Sequence, residues 1–76
     1  MNTQPLELGI YEHYKALRYE VVGLARHSET LETLVVYRAL YGQYELWVRP
    51  LEMFLENVEI DGKIMPRFRY LGATTD

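Results

Sequence analysis

The chain has 76 residues, a formal net charge of −3 and no cysteine. These totals make the 76 residues one domain and exclude a disulfide framework, thiolate metal sites and bulk electrostatic attraction to nucleic acid. Seven Tyr, two Phe and one Trp supply contact area that suits β-sheet, each Tyr keeping a polar tip. A domain this short retains only about 4–11 kcal/mol of stability, so its core must be made by packing alone.

In chain order, Met1–Leu8 is a leader, loose or draped over the domain, with Pro5 inside it. Gly9–Tyr14 is the first strand, Lys15–Arg18 a turn, and Tyr19–His27 a longer strand. Centring that turn pairs His13 with Glu20. Ser28–Glu32 has turn chemistry through its hydroxyls, with room for one helical turn. Thr33–Pro50 then reads as a hairpin reversed at Gly42-Gln43, a two-residue type II′ turn. This register sets Arg38 opposite Trp47 and Tyr37 opposite Val48; continued across the preceding loop, it sets Gly23 opposite Tyr37.

Sorting the strands by alternation gives one face of Tyr19, Val21, Gly23, Ala25, Val35, Tyr37, Ala39, Tyr41, Tyr44, Leu46 and Val48. The other holds Val22, Leu24, Leu34, Val36, Leu40 and Trp47, with Arg26, Arg38 and Arg49 among them. Both faces are apolar, whereas a one-sided antiparallel sheet alternates cleanly with polar residues. Both therefore need cover. A slip of one residue at Gly42 would carry Trp47 to the opposite face.

Pro50 opens a helical turn over Pro50–Leu55, its apolar side made by Leu51, Phe54 and Leu55. Asn57–Ile60 is a strand, Asp61-Gly62 a type I′ turn, and the return strand follows from Lys63. Val58, Ile60 and Met65 share one face; Ile64, Phe68 and Tyr70 share the other, and both sets are expected to be buried. Pro66 cannot donate to a ladder and marks a bulge or corner. Arg67 and Arg69 point outward. The fold expected is all-β: a small SH3-like, partly open barrel of five or six antiparallel strands with one short helical turn. It spans residues 9–71, between the leader (1–8) and a polar tail (72–76).

The blocks Gly9-Ile10-Tyr11-Glu12-His13-Tyr14-Lys15, Ala25-Arg26-His27-Ser28-Glu29-Thr30, Val36-Tyr37-Arg38-Ala39-Leu40-Tyr41-Gly42 and Leu46-Trp47-Val48-Arg49-Pro50-Leu51-Glu52-Met53-Phe54 occur in that order. In these the chain resembles a family of short bacterial proteins, domain of unknown function 1653, over about Leu8–Leu71. The resemblance implies a bacterial origin and brings no catalytic residues.

Chemistry-bearing residues are sparse. His13, His27, Glu29 and Glu32 are metal-ligand types, but no H-x-x-x-H or H-E-x-x-H spacing joins them, and no metal or cofactor is expected. Ser28 adjoins His27 without a glycine-framed nucleophile elbow, so a non-catalytic domain is expected. Trp47, Arg38, Arg49 and Tyr37, with Arg67 and Arg69, are the candidate binding residues, because Trp and Arg concentrate at interface hot spots. They suit a protein partner or a homodimer. The alternative is single-stranded nucleic acid, with bases stacked on rings and Arg on phosphates. Against it, Glu20, Glu45, Glu52, Glu56 and Glu59 interleave with the cations. A charged-then-apolar leader and a bilayer-length apolar run are both missing, so no membrane association and a cytoplasmic location are expected.

Overall fold

The computed structural model describes residues 6–73. Seven strands and one helical turn follow in order: β1 (Gly9–His13), β2 (Arg18–Arg26), β3 (Thr33–Ala39), β4 (Leu46–Pro50), α1 (Leu51–Phe54), β5 (Asn57–Ile60), β6 (Lys63–Pro66) and β7 (Phe68–Gly72). The all-β class with one short helical turn stands. The expected barrel does not close. Five antiparallel strands lie in the order β4-β3-β2-β1-β7, and β5-β6 forms a separate two-stranded sheet. The open architecture follows from the corner at Pro66. There the chain leaves β6, and Arg67 accepts the Tyr14 N–H at 3.0 Å while donating its own N–H to the Glu56 carbonyl. β7 is thereby delivered to β1, and β4 is left at the far edge.

Three registers differ from expectation, each by a local insertion. The first hairpin closes through Ala16 N–H to His13 C=O and His13 N–H to Leu17 C=O, with Ala16 at φ 70°. This is a three-residue loop with a left-handed closing residue. Glu20 therefore lies opposite Ile10, not His13. In β2 the ladder to β3 skips Val22: Val21 pairs with Tyr37 and Gly23 with Val36. The bulge turns Leu24 and Arg26 to the face of Val21 and sends Gly23 and Ala25 to the other.

At Gly42 the turn Tyr41–Tyr44 does form, closed by Tyr44 N–H to Tyr41 C=O at 3.1 Å, with Gly42 at φ 61°. Tyr44, at φ 55°, then takes up one extra residue. The ladder beyond it pairs Tyr37 with Trp47, Arg38 with Leu46 and Val35 with Arg49. Trp47 and Arg49 thus join the face of Tyr37, while Leu46 and Val48 go to the face of Arg38.

One sheet face carries the core: Tyr11, Val21, Val35 and Tyr37, joined by Leu6, Phe54 and Phe68. Pro50 precedes α1, whose Phe54 is buried and whose Leu51 packs on the same cluster, but Leu55 is exposed. Leu6 drapes the end of the leader over this face; Met1–Pro5 and the tail from Thr74 lie outside the described residues. The rings interlock. Phe54 and Phe68 stack at 4.1 Å, and Tyr37 meets both edge-on at 5.5 and 5.9 Å. Burying a ring such as Phe54 contributes about 1.5–3 kcal/mol, a large share for so small a domain.

The second hairpin has Asp61 and Gly62 both at positive φ, 52° and 79°, as a type I′ turn requires. Its pairing of Val58 with Met65 is as expected, but Ile64 is 73% exposed and not part of any core. Between β2 and β3 the chain turns through Ser28–Thr30 without forming a helix, Leu31 N–H donating to His27 C=O at 2.8 Å.

Candidate interaction surface

The six candidate residues do not form one patch. Tyr37 is 6% exposed and belongs to the core, so it supports a surface without being part of it. Arg38 lies on the opposite face, where its Nη1 donates to the Tyr44 carbonyl at 2.9 Å. The slip at Tyr44 is what separates it from Trp47. Arg67 sits at the β6–β7 corner, its Nη2 3.5 Å from a Glu56 carboxylate oxygen, and its buried Nε has no partner among the described residues. Arg69 donates to Glu12 at 2.9 Å; Arg18 approaches the same carboxylate at 3.7 Å. The expected outward position holds for Arg69, whereas Arg67 is three-quarters covered. With Arg38 on the opposite face and Arg67 and Arg69 held by carboxylates, the four arginines do not make the continuous cationic groove that tracks a nucleic-acid backbone.

Trp47 and Arg49 do come together. Both point to the core side of β4, from its outer margin. Arg49 Nε donates to the Tyr37 hydroxyl at 3.4 Å, and its guanidinium lies 5.8 Å from the centre of the Phe68 ring. Trp47 is 49% exposed and borders a shallow depression of about 240 Å³ with Tyr41 and Glu45.

The residues that sequence reasoning missed are its neighbours. Leu46 and Val48, expected on the face of Tyr37, lie on the opposite one and are 52% and 60% exposed. Leu46-Trp47-Val48 is therefore an uncharged apolar triplet on an edge strand, paired among the described residues to β3 on one side only. The other margins are guarded. Arg69 and a bulge near Gly72 interrupt β7, and Glu59, Asp61 and Lys63 flank the exposed isoleucines of the β5–β6 hairpin. Charges and bulges are the usual means of blocking edge pairing. The signal in the sequence was Pro50, which limits the strand at a position confined to edges.

The backbone of β4 faces outward at defined positions. Ala39 N–H donates to Glu45 C=O at 3.0 Å, so Glu45 turns its backbone to β3. Antiparallel ladders alternate; Trp47 and Arg49 also turn inward, and the N–H and C=O groups of Leu46 and Val48 face away from the sheet.

The histidines are far apart in the fold. His13 ends β1, and its ring meets Phe68 at 5.0 Å and Tyr14 at 4.4 Å. Burial, then the nearby Arg67, Lys15 and Arg49, hold its pKa below the usual histidine value. His27, past the other end of β2, accepts the Glu29 and Thr30 N–H groups through Nδ1. Among the described residues, no three carboxylates or histidines are close enough to hold a metal ion. Burial and the hydrogen bond to Tyr41, 2.6 Å away, push the Tyr19 phenol up.

The sequence pattern of the family described as protein of unknown function DUF1653 matches residues 9–70. The chain belongs to this family. A crystal structure of a DUF1653 protein from Bordetella bronchiseptica is similar to it, with 38% identity and a TM-score of 0.85 over 99% of each chain. No functionally curated protein matches. No helix among the described residues is long and apolar enough to cross a membrane.

Proposed function

We propose that this DUF1653 domain is a non-catalytic association module that accepts an extended strand on the free edge of β4. The observation that supports this reading is the triplet Leu46-Trp47-Val48, about half exposed or more at each residue, on a strand whose outer backbone is unpaired among the described residues. An incoming strand gains main-chain hydrogen bonds from the outward groups of Leu46 and Val48 and buries apolar surface on both sides of the sheet. Affinity from backbone and specificity from alternate side chains is how sheet edges recognise polypeptides.

Trp47 is the single tryptophan of the chain, so its emission reports occupancy of this edge. The expected result is a blue shift as the protein is concentrated or titrated with short synthetic peptides of alternating apolar and polar residues. Val48→Pro removes one outward N–H at a position where an edge strand tolerates proline. It should abolish the shift and leave the unfolding midpoint nearly unchanged. An emission indifferent to concentration and to every peptide overturns the proposal.

A further inference from the structure

Resting on the association reading above, we infer that the strand received by β4 is β4 of a second copy, antiparallel, with the two-fold axis passing through Trp47. The segment Glu45-Leu46-Trp47-Val48-Arg49 is self-complementary about its centre. Reversed against itself, it sets Trp47 beside the partner's Trp47, Leu46 beside the partner's Val48, and Glu45 beside the partner's Arg49. Both sheet faces are matched. Glu45, Trp47 and Arg49 lie on the core side, since their β3 neighbours there are Ala39, Tyr37 and Val35. Leu46 and Val48 lie on the other side, opposite Arg38 and Val36.

The backbone phase agrees independently. The outward groups belong to Leu46 and Val48, and the two-fold axis at Trp47 makes these residues the hydrogen-bonded pairs. Leu46 exchanges N–H and C=O with the partner's Val48, and Val48 does so with the partner's Leu46. Trp47 falls in the intervening pair without hydrogen bonds, where side chains approach closest. An axis at Leu46 or Val48 keeps hydrogen bonds but sets unlike residues together: Glu45 would oppose Trp47 or, with the axis at Val48, Trp47 would oppose Arg49. Pro50, which carries no N–H, closes the ladder at its end.

The charges await such a partner. Among the described residues the Glu45 carboxylate has no hydrogen-bond or ion-pair partner, and Arg49, whose guanidinium lies beside the Phe68 ring, donates a hydrogen bond only through Nε, leaving its η nitrogens to donate elsewhere. The two side chains cannot meet within one chain, being four residues apart along an extended strand, roughly 13 Å. Between copies they meet twice. The association is isologous and closed, the commonest way that identical chains assemble, and it joins two five-stranded sheets into one.

The test uses the whole chain and sedimentation velocity. Glu45→Arg alone and Arg49→Glu alone should each weaken the dimer about tenfold or more, because like charges then face each other at both pairs. Mixing the two variants should restore association, since each chain now carries the sign that the other needs. Arg49 also touches the core, so a second route avoids charge. The chain lacks cysteine, and a mixture of Glu45→Cys and Arg49→Cys proteins should form a disulfide-linked heterodimer under mild oxidation, while neither variant alone does so efficiently. A wild type that dimerises without cross-linking in the mixture overturns this register and leaves the association reading standing. A wild type monomeric up to millimolar concentration whose Trp47 still responds to peptides overturns the second copy as the occupant. Failure of both responses overturns the association reading itself.

Discussion

The rings of Phe54 and Phe68 lie face to face, 4.1 Å apart and 2° from parallel. One comes from the helical turn after Pro50, the other from the first residue of the last strand. Their stack pins the β4–α1 crossing to β7, and Tyr11 and Tyr37 close round Phe54 edge-on. The rings thus add an aromatic contact between α1 and β7 to the backbone bonds that already join β7 to β1 and Arg67 to Glu56.

Phe54→Ala should then cost about 3–5 kcal/mol, as truncating a buried ring does. For a domain of this size that is most of the stability. Urea unfolding should show a collapsed or absent native baseline; an unfolding midpoint near the wild type would mean that the stack contributes little.

Trp47→Ala should behave oppositely. The side chain is half exposed, and Tyr37 is covered without it by Phe54, Phe68 and Tyr19. The expected loss is about 1 kcal/mol or less, measured at a concentration where the protein is monomeric. A loss comparable to that of Phe54→Ala would return Trp47 to the core and remove the exposed patch.

Gly9 has φ 137°, and a Cβ there would run into the Gly72 carbonyl oxygen. That close approach is where β1 and β7 shift register, between Ile10 and Tyr11. Gly9→Ala meets both a forbidden backbone region and a backbone atom that cannot step aside. It should lower stability by more than about 1 kcal/mol, read as a fall in thermal midpoint, while Gly62→Ala, in open space, should cost less. Equal effects would show that the β1–β7 contact is compliant.

His13 makes stability depend on pH. Burial and three nearby cations depress its pKa in the fold, so the unfolded chain binds the proton more readily. Stability from this source is complete above the ordinary histidine pKa of about 6.5 and falls as pH drops toward the lower folded value. The urea midpoint should decline from pH 7.5 to 5.5, and His13→Gln should reduce that decline. An identical decline in the variant would assign it to other groups.

Much of the local structure is readable from residue types because turn chemistry is local. Asp61-Gly62 makes its own left-handed turn, Pro50 starts α1, and Pro66 breaks the ladder at the corner, each through its own backbone restrictions. The short-range pattern also marks Gly9–His13 and Thr33–Ala39 as strands and marks the chain as all-β.

What the chain order could not supply is the side to which each strand turns. Val22 and Tyr44 each insert one residue, and one residue reverses every side chain beyond it. Because Val21, Val22 and Leu24 are all apolar, as are Leu46, Trp47 and Val48, the pattern carries no polar contrast to fix the phase. Packing decides it. The face that can receive Phe54, Phe68 and Leu6 becomes the core, and Arg38 and Trp47 part company. The openness of the sheet is likewise a tertiary outcome, since the Pro66–Arg67 corner hands β7 to β1 and leaves β4 at the sheet margin among the described residues.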